Sequence, residues 1–169
     1  MNSVANNDTL HRLLHMVVAG HRFCLRLGDV ERLLPLMQVQ RVPEGPDYLL
    51  GVMNLRGEAV PILDLACRLN LPTTADYALD TPVVLAAVGS LRAGLVVDEV
   101  LGVRAVPRSA LRGDALFRDG LPPVLSAVTQ DDGTALLLDA LRILDIDLSG
   151  LSQPLALGDE LRSLCREVN

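Results

Sequence analysis

Apolar residues along this chain recur in short blocks that end at glycine, proline, aspartate or asparagine, the pattern of many brief strands joined by tight turns. The spacing predicts strands near residues 15–19 and 22–27 around a Gly20-His21 turn. A further strand is expected from about Leu33 to Val42, stopped by Pro43-Glu44-Gly45-Pro46. In the second half, Pro82–Val88 and Ala93–Val103 are almost continuously apolar, which implies strands buried on both faces or closed into a barrel. Val124–Thr129 and Ala135–Leu138 flank Asp131-Asp132-Gly133, a good hairpin turn. Helix is expected only after Asp64, after Asp139, and from about Leu157 to Val168, where leucines form one stripe. The polar stretch 70–81 is the best boundary between two lobes, and the fold class is all-β with a barrel architecture.

The most informative segment is Gly51-Val52-Met53-Asn54-Leu55-Arg56-Gly57-Glu58-Ala59-Val60-Pro61-Ile62-Leu63-Asp64-Leu65. Two apolar runs around Asn-Leu-Arg-Gly read as strand, tight turn, strand, with an arginine held at the rim. Gly57 supplies the freedom a short turn needs. Pro61 cannot donate a ladder hydrogen bond, so its strand is expected at a sheet edge or bulge.

Composition narrows the function. Half of the 169 residues are hydrophobic, yet only two Phe and two Tyr occur, so the core is aliphatic. All 15 basic residues are arginine, and the net charge is -6 with dispersed acids, which argues against nucleic-acid binding. No apolar run approaches a membrane span and no signal-peptide zoning is seen at the N-terminus, so a cytoplasmic protein without membrane insertion is expected. Cys24, Cys67 and Cys165 lie far apart and form no metal or disulfide pattern.

Catalytic chemistry finds little support. His11, His15 and His21 are the only histidines. The first two would share a face if residues 9–16 were helical, but no nearby ligands complete a metal shell, and solvated imidazoles on an N-terminal helical turn are expected instead. Asp64 and Asp139 read as helix caps. Asp98 and Glu99 could serve a small hydrolase only if they converged on a cleft. Serine elbows and phosphate-cradling loops are absent. No enzyme activity, metal or cofactor is expected.

Taken in order, the strand pair with Leu27-Gly28-Asp29, the Val30–Leu33 stretch, the proline-rich bend, the hairpin at 51–57, Val60–Leu65, Gly94–Val100 and the late strand Ala135–Leu138 resemble the CheW-like coupling proteins of bacterial chemosensory arrays. That resemblance implies two packed SH3-like five-stranded β-barrels with short connecting helices and a C-terminal helix. It places an N-terminal extension at 1–13, the CheW-like domain at 14–147, with lobes at about 14–70 and 81–138 and some chain crossing, and a helical tail at 148–169. It also implies a non-catalytic adaptor at membrane-associated receptor arrays, joining the cytoplasmic tip of a chemoreceptor to the regulatory domain of a CheA-type histidine kinase. Carried over by position, Arg56, Val30 and Gly51 match receptor-contact positions, while kinase-contact residues are not assigned.

One departure concerns Val30-Glu31-Arg32-Leu33. Many relatives carry an acid two positions after the valine, where this chain has Arg32. A one-residue shift on a regular strand moves a side chain to the opposite face, so Arg32 joins the candidate receptor contacts and the partner is expected to differ. A sister array controlling pili or second-messenger synthesis is therefore an alternative to a flagellar one.

Overall fold

The computed structural model describes residues 9–72, 76–112 and 123–146. Its strands are β1 (Leu10–Val18), β2 (His21–Arg26), β3 (Val30–Pro35), β4 (Leu49–Leu55), β5 (Glu58–Asp64), β6 (Pro82–Val88), β7 (Leu91–Val96), β8 (Glu99–Pro107), β9 (Leu111–Arg112), β10 (Val124–Gln130) and β11 (Gly133–Leu138). Two short helices follow hairpins, α1 (Leu65–Arg68) and α2 (Ala140–Leu144). Most of the expected N-terminal extension and the expected C-terminal helical tail lie outside the described residues.

The strands form two sheets, in the orders β8-β1-β2-β11-β10-β9 and β3-β6-β7-β5-β4. Each curls into a ring. β8 runs through a 3₁₀ turn at Arg108–Ala110 into β9, which pairs with β10 at the far edge of the same sheet. In the other sheet the chain beyond β3 returns to β4 through paired hydrogen bonds between Gln40 and Val52, both 2.8 Å. Counting β8 and β9 as one interrupted strand, each ring has five strands, as the all-β expectation required.

The rings exchange segments. The β1–β2 hairpin joins β8 to β11, while β3 to β5 join the β6–β7 hairpin. A division into lobes at 14–70 and 81–138 therefore does not coincide with the barrels. The reason lies in the parallel pairs, β2 with β11 and β5 with β7, because parallel strands need a long crossover that adjacent segments cannot supply.

Other expectations shift locally. The ordered domain starts earlier than residue 14, since β1 begins at Leu10 and takes in the end of the expected extension. The strand expected over Leu33–Val42 runs from Val30 to Pro35, with Gln40 as an isolated bridge. The Ala93–Val103 block is two strands, one in each barrel, broken at Val97-Asp98. Pro61 sits in a strand flanked on both sides, not at an edge. Val52 opposite spends its own amide and carbonyl on Gln40, and the ladder to β7 begins only at Ile62, so the missing proline N–H is not needed.

Alternation along β1 divides the core. Leu14, Met16 and Val18 pack between the barrels against Leu63, Val84, Leu95 and Ile143, while Leu13 lies inside the first barrel with Cys24, Val106 and Val128. Asp64 and Asp139 cap α1 and α2 by accepting from the Cys67 and Arg142 amides. Arg68 of α1 donates to the carbonyls of Arg142, Ile143 and Asp145, tying the two helix ends together.

His11 and His15 lie on strand β1, which replaces the expected helical turn, and His15 is only 4% exposed. Burial pushes the His15 imidazole below its ordinary pKa, with Arg104 adding to the effect. The unfolded chain thus binds this proton more readily than the folded one. Stability from neutral His15 is complete above about pH 6.5 and declines as pH falls through that value toward the lower folded-state pKa. Thermal midpoints between pH 7.5 and 5.5 should fall in the parent and be flatter in His15→Met. A slope unchanged by the substitution would exclude this histidine as the source.

Candidate functional site

Leu55 and Glu58 face each other at the end of the β4–β5 ladder, which leaves Arg56 and Gly57 as a two-residue turn. Their φ angles are +54° and +87°, the two left-handed central positions of a type I′ turn, whose twist matches that of the strands it joins. Asn54 Oδ1 accepts the Gly57 amide at 2.8 Å and locks the turn. Arg56 projects from its apex, exposed and with no ion pair among the described residues.

A second arginine connects this turn to β3. Arg92, at the start of β7, donates to Glu31 from Nε and from Nη2 at 2.8 Å, and to Glu58 from Nη1 at 2.5 Å. The hydrogen bonds it donates to Glu31 and then to Glu58 hold the guanidinium pKa above its ordinary value. The clamp brings Val30-Glu31-Arg32 and Arg56-Gly57-Glu58 to one rim of the second barrel. Sequence reasoning missed Arg92. Its only signal was an arginine beside the Gly89-Ser90 turn, and the register that aligns it with two acids is a tertiary property.

The face shift expected for Arg32 takes a different form. Val30 and Arg32 pair with the adjacent residues Ala86 and Leu85, so Glu31 is the extra residue of a β-bulge. The bulge, not a simple one-residue slip, turns Val30 and Arg32 to opposite faces. Val30 is half-buried against the core between the barrels. Arg32 is exposed, while Glu31 is committed to Arg92.

Gly51 does not join Arg56 on the surface. It is the third residue of β4 and buried, with φ +144°, and an added Cβ would lie 2.2 Å from the Gln40 carbonyl oxygen. Its place is to let the chain after β3 close on β4. The same closure forms one wall of a groove of about 590 Å³ beside the turn, lined by Met37, Gln40, Val52, Asn54 and Gly57.

Of the two hydrolase carboxylates, Asp98 holds a turn: its Oδ2 accepts the Ala19 amide of the β1–β2 turn at 2.6 Å, and both Asp98 and Glu99 are exposed. Burial raises the Cys24 thiol pKa to about 12, which makes it inert as a nucleophile. What the rim offers is fixed charge on a rigid turn beside a groove, a geometry for docking.

Comparison with known proteins agrees with the motif order. A family model for the CheW-like domain matches residues 12–147. The chemotaxis protein CheW of Bacillus subtilis (strain 168) is 27% identical over 154 residues, spanning 89% of this chain and 97% of that protein. Protein FrzA of Myxococcus xanthus is 32% identical over 120 residues, spanning 66% and 74% respectively. The crystal structure of the scaffolding protein TtCheW from Thermoanaerobacter tengcongensis shares the fold, with a TM-score of 0.73 at 20% identity over 82% of this chain and 94% of that one.

Proposed function

The chain belongs to the CheW-like domain family, and from that premise we propose that it is a non-catalytic adaptor joining the cytoplasmic tip of a chemoreceptor to the regulatory domain of a CheA-type histidine kinase. A scaffolding role in chemotaxis-type signalling follows from the family itself. The observation that supports the finer reading is the rim of the second barrel, where Arg92 clamps Glu31 and Glu58, the neighbours of the exposed Arg32 and Arg56. Such a surface binds by complementarity and needs no cofactor. No helix among the described residues is long and apolar enough to cross a membrane, which fits an adaptor that reaches the membrane only through its receptors.

Arg32 favours a receptor other than the flagellar type. Its exposed guanidinium occupies a place where many relatives carry an acid, and like-charge juxtaposition rejects wrong partners. An array governing pili or second-messenger synthesis fits this charge.

The test immobilises the full chain and measures binding of the cognate kinase regulatory domain, the cognate receptor hairpin and a flagellar-type hairpin. The parent should bind the first two. Arg32→Glu should keep the kinase domain, weaken the cognate receptor by about tenfold and gain on the flagellar-type one. Binding of neither kinase nor receptor by the parent would overturn the adaptor reading. An unchanged receptor preference would make Arg32 a solvated bystander.

A further inference from the structure

Two charge clusters in this protein are built in opposite senses. In the first barrel, Asp132 at the β10–β11 turn takes two arginines, Arg22 and Arg104. In the second, Arg92 takes two acids, Glu31 and Glu58. The second arrangement changes what a partner meets at the rim.

Nε and Nη2 of Arg92 engage the Glu31 carboxylate, using both of its oxygens, while Nη1 engages Glu58 Oε2, so one guanidinium spends all three nitrogens on two acids. The Arg92 side chain is 24% exposed, against 36% for Glu31 and 64% for Glu58, which sets the base deeper than the acids it holds. Exposed ion pairs add little stability, so knitting the sheet together is a weak reason for the arrangement. Its effect on the charge of the surface is larger. The chain as a whole has 21 acids and 15 arginines, yet the segments that the clamp joins, 30–32 and 56–58, hold with Arg92 three arginines against two glutamates. Among the described residues neither Arg32 nor Arg56 makes an ion pair, so once Arg92 has answered both glutamates these are the charges left to a partner.

We propose that Arg92 sets receptor specificity by holding Glu31 and Glu58 out of the contact, so that the rim takes a receptor tip that presents carboxylates. This rests on the adaptor reading and adds the chemistry of the partner to it. Arg92 acts through the two glutamates and is a positioning residue. Without it the same segments carry both signs in equal number, and two released carboxylates meet an acidic tip with like charge.

The test measures binding of the full chain to the cognate receptor hairpin, to the same hairpin with its tip carboxylates exchanged for amides, and to the kinase regulatory domain. The parent should bind the amide form at least about tenfold more weakly than the native hairpin. Arg92→Met should lose about tenfold toward the native hairpin, keep the kinase domain, and move the thermal midpoint by only a few degrees. The triple variant Glu31→Gln/Arg92→Met/Glu58→Gln also lacks the clamp but has no carboxylate to release, so its affinity for the native hairpin should return to the parental level or exceed it. A clamp that only braces the fold would leave the triple variant as weak as Arg92→Met, and that result would overturn the proposal. Binding of the amide form by the parent as tightly as the native hairpin, or parental affinity in Arg92→Met, would overturn it too while leaving the adaptor reading in place. A parent that binds neither form of the hairpin would overturn the receptor half of the adaptor reading, and this inference with it.

Discussion

Gly51→Ala should lower the thermal midpoint by roughly 10 °C, the largest stability loss expected from any single methyl in this chain. Two effects act together. At φ +144° an L side chain is strained whatever space surrounds it, and here there is none: the new Cβ would lie 2.2 Å from Gln40 O and 2.7 Å from Val39 Cγ1. The nearer obstacle is backbone, so it cannot rotate aside. Relief requires the chain after β3 to move off β4, which breaks both Gln40–Val52 hydrogen bonds and reopens the ring. Strain of about 1–3 kcal/mol, plus the lost closure, puts the total near 3 kcal/mol or above. Gly57→Ala is the control. It also has positive φ, at +87°, but nothing lies within 4 Å of its would-be Cβ, so its midpoint should fall by only a few degrees. Denaturation of both variants by heat and by urea checks the ranking. A Gly51→Ala midpoint within about 2 °C of the parent would show that the closure is not tight.

The same residue shows where sequence reading reached and where it stopped. Gly51 was legible as part of a motif, and the motif was right about the family. Its φ and the Gln40 carbonyl against it depend on how a distant segment returns, which no local pattern encodes. Hairpins were readable because turn chemistry is local: Arg56-Gly57 and Asp131-Asp132 sit where the ladders reverse. Both aspartate caps were readable for the same reason. The exchange of hairpins between barrels was not, because Val83–Val88 and Leu91–Val96 look alike whichever sheet they enter. The break at Val97-Asp98 was hidden inside an apolar run. A single unmatched residue at Glu31 converted a predicted slip into a bulge, and only pairing with β6 reveals it. Charges were least legible of all. Arg92 with Glu31 and Glu58, and Asp132 with Arg22 and Arg104, join residues from separate strands and loops.

Replacing Arg56 should separate binding from stability. A type I′ turn favours asparagine before glycine, yet this chain holds arginine at φ +54°, a conformation that disfavours a non-glycine side chain by roughly 1–2 kcal/mol. Nothing among the described residues repays that strain, since Arg56 has no ion pair and is exposed. A residue kept against local preference on an exposed apex is best explained by a partner. The guanidinium starts from a turn fixed by Asn54 and by the sheet, so little backbone order is lost when it meets a carboxylate or several carbonyls on a receptor tip. Arg56→Asn should therefore leave the thermal midpoint equal or slightly higher. It should cost about 2 kcal/mol of receptor binding, roughly thirtyfold in affinity, while kinase-domain binding stays at the parental level. Arg56→Glu should lose more, because it places an acid beside Glu58 and reverses the charge offered. The measurement compares midpoint, kinase-domain affinity and receptor affinity for the parent and both variants. Equal losses toward both partners would indicate a damaged hairpin, and undiminished receptor binding would remove Arg56 from the contact and leave its strained turn without a reason.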